Sequence, residues 1–240
     1  PALGAMRVPA VAYTFASAPS IAERVALGLD AFRADDEVIA PFGDDWGLDA
    51  LDNNPVKATK MKLAELRTGG FEITGIWFYR DEQGRRISAA LRLDNVEKGK
   101  KQVLPLRVFK RVNSLHWVGI KALADPRPLY NLHLLTAHPE LPVLMVEGEK
   151  AAEAGAALSG YVTTTWSGGA QSVTKADLRP LAGRDVIICP DNDEDGHSAA
   201  DKLGPLLAAV GARSVRVVRL PASFPKKWDI ADPFPVTNRG

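Results

Sequence analysis

Two apolar runs end in acid, and that pattern constrains this chain more than anything else in it. Leu141–Pro142–Val143–Leu144–Met145–Val146 stops at Glu147–Gly148, and Glu149–Lys150–Ala151–Ala152 then opens a helix-forming stretch. Further on, Val186–Ile187–Ile188–Cys189 stops at Pro190 and passes into Asp191–Asn192–Asp193–Glu194–Asp195–Gly196. Short apolar runs bounded by turn residues read as buried strands. In an open α/β sheet, functional groups collect where strands end and helices begin. Neighbouring strands would therefore bring Glu147, Asp191 and Asp193 into one crevice. Crowded carboxylates repel one another. A divalent cation relieves that repulsion, and oxygen-only ligands suit magnesium or manganese.

The rest of the chain supports a folded, water-exposed protein. It has 240 residues, 46% apolar and 25% charged, enough for one large or two small domains around a real core. Net charge is only +1, so any affinity for nucleic acid must come from local patches. One cysteine, Cys189, excludes an intrachain disulfide and a zinc site built from several cysteines. A cytoplasmic, reducing setting fits this, and no signal peptide or membrane-length apolar run is visible. Pro1–Ala5 before Met6 reads as a cloning remnant, and the end at Asn238–Arg239–Gly240 does not read as a natural close. A piece of a longer protein is expected.

Three regions follow in order. Residues 1–70 read as mainly helical and of unknown role. Ser20 and Glu23 form a capping box before Ile21, Val25, Leu29 and Phe32 at helical spacing, ending near Asp35–Asp36. Residues 41–54 read as loop. Asn54–Pro55 starts a second helix with Met61, Leu63 and Leu66 on its apolar face, stopped by Gly69–Gly70. Residues 71–138 read as a β-rich basic subdomain. Ile76 and Phe78 mark a strand, Asp81–Gly84 a turn, and Ile87, Ala89, Leu91 and Leu93 alternate with Arg86, Ser88 and Arg92 as a half-buried strand. Two more strands are expected within 102–120, and a short helix over Leu132–His138.

From Arg85 to Arg127 eleven Lys and Arg face three acids, with a cluster at Lys98, Lys100 and Lys101. That is either an ordinary solvated sheet face or a surface that tracks phosphates and binds in a salt-dependent way. Trp117 and Tyr79 are stacking candidates or core. His133 and His138 have no matching ligand set.

Residues 139–240 read as β-α-β-α-β-α-β, a mostly parallel sheet flanked by helices. Strands are expected at 142–146, 161–165, 185–189 and around Val215–Val218. Helices are expected at 149–158, at Lys175–Leu181 and over about 197–210, the last broken or kinked by Pro205. Neither an internal repeat nor a low-complexity segment is present.

Carboxylates in this arrangement suit phosphoryl or nucleotidyl transfer, where metal ions neutralise phosphate oxygens. Glu147 could instead serve as general base. The plainer account is a turn whose acids cap a helix, with Asp195 as the capping residue. Asp229, in Lys227–Trp228–Asp229, is a further ligand candidate.

The segment Val143–Asp229 resembles a Toprim domain, the catalytic module shared by bacterial-type primases, type IA and II topoisomerases, some nucleases and a recombination mediator. The resemblance rests on Glu147–Gly148 after the first strand and on the pair Asp191-x-Asp193. Val146–Glu147–Gly148–Glu149–Lys150–Ala151–Ala152, Pro190–Asp191–Asn192–Asp193 and Lys227–Trp228–Asp229 are more narrowly similar to primase-like proteins of phages, plasmids and mobile elements. Tyr79–Arg80–Asp81 with Gly84 looks like their hairpin, and Arg127–Pro128–Leu129–Tyr130–Asn131–Leu132 like the basic-then-Leu–Tyr–Gly motif of primase cores, with Asn131 in place of the glycine.

The resemblance implies an α/β Toprim-like fold of a mostly parallel sheet flanked by helices, preceded by a smaller α+β region with an antiparallel sheet. It implies a nucleotidyltransferase: a DNA primase core making RNA primers on a single-stranded DNA template from nucleoside triphosphates. By carry-over, Glu147, Asp191 and Asp193 form the catalytic Mg2+ or Mn2+ site with Asp229 as a further ligand. Lys121 and Arg127 would touch template or incoming-nucleotide phosphates and Lys150 could help there, while Lys98, Lys100 and Lys101 are nucleic-acid candidates from the basic cluster alone. Ser167–Gly168–Gly169 passes close to phosphates or is a plain glycine turn. A replicative helicase is an expected partner, and a membrane is not. The zinc-binding domain that usually helps primases select a template cannot be built from one cysteine, and no P-loop pattern is present. A metal-dependent Toprim nuclease and a non-catalytic nucleic-acid-binding module stay open as alternatives.

Overall fold

The structure, a computed structural model, describes residues 57–111, 114–120 and 122–235. The expected helix after Ser20, the loop over 41–54, the Asn54–Pro55 start and Lys121 lie outside them. The described residues fall into two compact units that divide between Ala124 and Asp125.

The first unit is a helix on an antiparallel sheet. Helix α1 (Lys57–Thr68) is followed by β1 (Glu72–Arg80), β2 (Arg86–Asn95), β3 (Lys100–Arg111) and β4 (Ser114–Ile120), paired in sequence order. Gly69 and Gly70 close α1 as expected. Gly70 takes φ 82, its N–H donates to Arg67 O at 3.0 Å, and Phe71 N–H reaches back to Leu66 O. The apolar face is shifted from the expected one. Thr59, Leu63 and Leu66 are buried at spacings of four and three, whereas Met61 is 64% exposed. Met61 lies two residues from Leu63, which puts it round the far side of a 3.6-residue turn.

Leu63 and Leu66 pack against Ala89, Leu91, Leu93 and Leu106 of the sheet. Strand β2 is buried on both faces rather than one, because Ser88 and Ala90 are also shut from solvent. The Ser88 hydroxyl stays satisfied there by donating to Leu106 O at 2.9 Å. Tyr79 is 2% exposed and therefore core, not a stacking platform. Gly75 is required by its own strand: a Cβ there would sit 2.5 Å from the indole of Trp77.

The second unit is the expected parallel sheet. Helix α2 (Leu132–Ala137) precedes β5 (Val143–Val146), α3 (Glu149–Gly155), β6 (Val162–Thr164), β7 (Asp185–Cys189), α4 (Glu194–Ala209) and β8 (Ser214–Val217). The strand order is β6-β5-β7-β8 and every pairing is parallel. Val143, Met145, Val186 and Ile188 face a core closed by Leu129, Leu135, Leu181, Leu203 and Leu207.

Two local expectations fail. Lys175–Leu181 is not a helix: 3-10 turns at Ala170–Lys175 and Arg179–Leu181 flank an extended link. The link is extended because it pairs across the chain, with Arg127 N–H donating to Lys175 O and Asp177 N–H to Arg127 O. Pro205 does not break α4, which runs on to Ala209. Pro205 sits on the exposed side, where water can serve the carbonyl it leaves without a donor.

Asp185, at the start of β7, accepts from the Arg213 guanidinium and from Ser214 Oγ at 2.7 Å. Arg213 first, then Ser214, hold its carboxyl well below the usual carboxylate range. The folded-state pKa thus lies under the unfolded value. Its contribution is whole at neutral pH and declines as pH falls below about 4. Urea unfolding of wild type and Asp185→Asn should show the widest gap at pH 7 and a steadily narrower one in acid; a gap constant across that range would remove this pair from the acid sensitivity.

Candidate metal and nucleic-acid site

Strand register places the first two acids. Val146 of β5 pairs with Cys189 of β7, so the chains leave the sheet side by side, one into Glu147–Gly148 and the other into Pro190–Asp191. Gly148 makes the turn into α3 with φ 85, a conformation that suits glycine, and its N–H is fixed by Thr165 Oγ1 at 2.9 Å, just beyond β6. Glu147 is half-buried, with its Oε2 shut from solvent.

The acid turn is latched from a distant loop. Asn192 N–H donates to Trp228 O at 2.9 Å, and Lys227 N–H donates back to Asn192 O at 2.9 Å. The Asn192 amide Nδ2 donates to Phe224 O at 3.2 Å and Pro225 O at 2.8 Å. This lays Lys227–Trp228–Asp229 alongside Asp191–Asn192–Asp193. The Asp229 carboxylate in turn accepts from Ala231 N–H at 2.7 Å. Cys189 registers the same convergence. Burial first, then the charges of Asp191 and Asp229, push its thiol up to about 11, so it is neutral at physiological pH.

Asp193 has a second role. It is the N-cap of α4, accepting from Gly196 N–H at 2.9 Å through Oδ1. Capping therefore falls to Asp193 rather than Asp195, which lies in the helix's first turn.

Gly196 is a position the sequence reading passed over as an ordinary turn residue. A Cβ on it would stand 2.4 Å from Asp191 O and 2.9 Å from Asp191 N. The backbone of Asp191 thus occupies the space that any side chain at 196 would need. Gly196→Ala should displace Asp191 and lower stability by about 1–3 kcal/mol, as overpacking does. Urea unfolding measures this, and an unchanged midpoint would show that Asp191 tolerates the shift.

The donor set fits a hard divalent cation in kind: carboxylate oxygens, with the one nearby sulfur protonated. Among the described residues no three His, Cys, Asp or Glu side chains converge as a ready cage. Magnesium does not demand one. It keeps several waters and is commonly held by one or two carboxylates together with substrate phosphates. His133 and His138 contribute to no such group.

The basic candidates divide between the units. Arg127 lies in the parallel-sheet unit, its Nε donating to Asp125 at 2.9 Å. A Cβ on Gly168 would stand 3.1 Å from Arg127 Nη1, so the guanidinium rests against the Ser167–Gly168–Gly169 loop. Trp166 Nε1–H closes that loop on Gly169 O at 2.8 Å. Arg127 and the glycine loop are therefore neighbours. Lys150 is exposed on the first turn of α3. Lys98, Lys100 and Lys101 are exposed in the antiparallel-sheet unit, at the β2–β3 turn and the start of β3.

Asn131 answers the question raised by its replacing a glycine. It takes φ 59, the left-handed region that Asn tolerates best after Gly, and its Nδ2 donates to Thr163 O at 3.0 Å. Tyr130 N–H donates to Thr165 O at 2.9 Å, which holds this segment along β6.

A family model described as a domain of unknown function, DUF6371, matches residues 66–192. Among curated proteins none matches. Of solved structures, the zinc-binding and RNA polymerase domains of the Aquifex aeolicus primase align at 18% identity over 74% of this chain and 45% of that one, with a TM-score of 0.48. The E. coli primase catalytic core aligns at 18% identity over 77% and 57%, TM-score 0.41. A DNA primase domain from Pseudomonas aeruginosa aligns at 17% over 71% and 54%, TM-score 0.40. The chain spans about half the length of these solved chains. No described helix is long and apolar enough to cross a membrane.

Proposed function

We propose that this chain, which belongs to the DUF6371 family, is the catalytic core of a magnesium-dependent DNA primase, making RNA primers on single-stranded DNA in the replication of a phage, plasmid or mobile element. The observation that carries the reading is the exit of Glu147 and Asp191 side by side from paired parallel strands, with Asp229 latched alongside the acid turn. The sequence resemblance to primase-like Toprim proteins supplies the reaction class.

Glu147, Asp191, Asp193 and Asp229 would hold Mg2+ or Mn2+, which supplies charge neutralisation at phosphate oxygens and a lowered pKa for the attacking hydroxyl. The protein's own part is positioning. Gly148 and Thr165 fix the Glu147 turn. Asn192 fixes the last loop. Gly196 leaves room for Asp191. Arg127, resting on the glycine loop, would receive phosphate oxygens of template or incoming nucleotide. Off the metal, Glu147, partly withdrawn from water, would instead serve as general base. Lys98, Lys100, Lys101 and Lys150 would track phosphates, with Lys121 a further candidate. A replicative helicase would be the partner that presents the template.

A priming assay tests this. Single-stranded DNA, labelled ribonucleoside triphosphates and magnesium or manganese should give short RNA products. Shortening of end-labelled DNA without such products would replace the reading with a nuclease. Binding without either would leave a nucleic-acid-binding module.

A further inference from the structure

The loop latched to the acid turn ends in a small aromatic stack. Phe224 and Trp228 meet edge-on with ring centroids 4.8 Å apart, and Phe234 stands against both, 5.3 Å from Trp228 and 6.5 Å from Phe224. Trp228 is 3% exposed, and its Nε1–H donates to Pro233 O at 3.1 Å, which fixes the backbone just before Phe234. Phe234 itself is 59% exposed. A lone exposed apolar side chain is ordinary on a protein surface. This one is seated on two rings whose backbone is tied to the residue between Asp191 and Asp193.

Two cations lie in the same loop. Lys226 and Lys227 are exposed and make no ion pair among the described residues. Lys227 takes φ 66, so the chain keeps a lysine where the backbone favours glycine. A rigid exposed ring and two uncommitted ammonium groups in one short loop are the elements of a sequence-tolerant contact to a single strand, stacking for a base and charge for phosphates.

We propose that residues 224–234 form a binding element for single-stranded DNA, in which Phe234 stacks on a base, Lys226 and Lys227 meet adjacent phosphates, and Asn192 couples the element to the acid turn. It rests on the nucleic-acid reading above and adds a strand contact on the β8 side of the sheet. The sequence motif Lys227–Trp228–Asp229 falls within it, with Asp229 the ligand candidate.

The test is binding without chemistry: fluorescence anisotropy of labelled oligo(dT) with the full chain in EDTA and no nucleoside triphosphate. Phe234→Ala should weaken binding about tenfold, and Phe234→Tyr should restore it. Phe234→Leu, which keeps apolar packing, should bind as weakly as alanine, which guards against a folding effect of the alanine variant. Lys226→Gln with Lys227→Gln should lower the slope of log affinity against log salt by about 1.4, at roughly 0.7 per single-strand phosphate contact. The proposal fails if wild type does not bind, if Phe234→Ala or Phe234→Leu binds like wild type, if the salt slope is unmoved in the double lysine variant, or if ATP added in a separate competition titration displaces the oligonucleotide, which would make a free nucleotide the occupant. Because no primer is made in this assay, an inactive chain that shows the Phe234 dependence would sink the primase reading and leave this one standing.

Discussion

Asp191→Ala is expected to abolish primer synthesis, with a loss on the order of a hundred- to a thousandfold, the scale on which single preorganised electrostatic groups act in enzymes. The expectation is sharp because the backbone that carries the Asp191 carboxylate is held by the fold. Its backbone fills the space over Gly196, its carbonyl accepts from Asp193 N–H at 2.8 Å, and its neighbour Asn192 carries the latch to residues 224–228. Removing the carboxylate leaves that scaffold in place, so the thermal midpoint should move little while product disappears. Asp193→Ala would be harder to interpret, since it also removes the cap of α4 at a cost of about 1 kcal/mol. Titrating manganese against both variants separates the roles. A weakened metal dependence with unchanged melting marks a ligand, and full activity in Asp191→Ala would overturn the site.

The largest effect on stability is expected from Arg184, which is 7% exposed. One guanidinium donates to three main-chain carbonyls: Leu135 O at 2.9 Å, His138 O at 2.8 Å and Leu141 O at 2.6 Å. Those carbonyls belong to the C-terminal end of α2 and the link into β5, where helix geometry leaves acceptors without donors and a partial negative charge. Burial pulls the Arg184 pKa below its ordinary value and Glu140 pushes it back, but a guanidinium remains charged throughout the working range. Arg184→Ala leaves three acceptors unsatisfied in a buried place and should cost about 3–5 kcal/mol, measured by urea unfolding. Arg184→Lys should recover only part of it, because one ammonium cannot span three carbonyls set along two segments. A loss under about 1 kcal/mol for alanine would mean that water or a neighbouring donor takes over.

What could be read from the sequence was what burial dictates locally. Strand β7 was bounded correctly and β5 to within a residue, because Val143–Val146 and Val186–Cys189 are continuous apolar runs, as two-sided burial in a parallel sheet requires. The Gly69–Gly70 stop and the four strands of the antiparallel sheet followed from turn chemistry and alternation. The failures share a physical origin. Lys175–Leu181 looked helical by itself, but its backbone groups pair with Arg127, nearly fifty residues earlier. Pro205 looked like a helix breaker, but its position on the exposed side of α4 lets the helix pass through it. Gly196 and Asn192 matter through contacts with a backbone, which leave no periodicity and no composition to detect.

The latch at Asn192 also sets an order of assembly. When a ribosome adds Asp193, the segments that become β5 and β7 have been synthesised. The carbonyls that hold the acid turn, those of Phe224, Pro225 and Trp228, emerge some thirty residues later. A nascent chain halted between those points would hold the strands on either side of the acid turn but not its clamp. Synthesis itself would then leave the acid turn unlatched until the last loop is delivered.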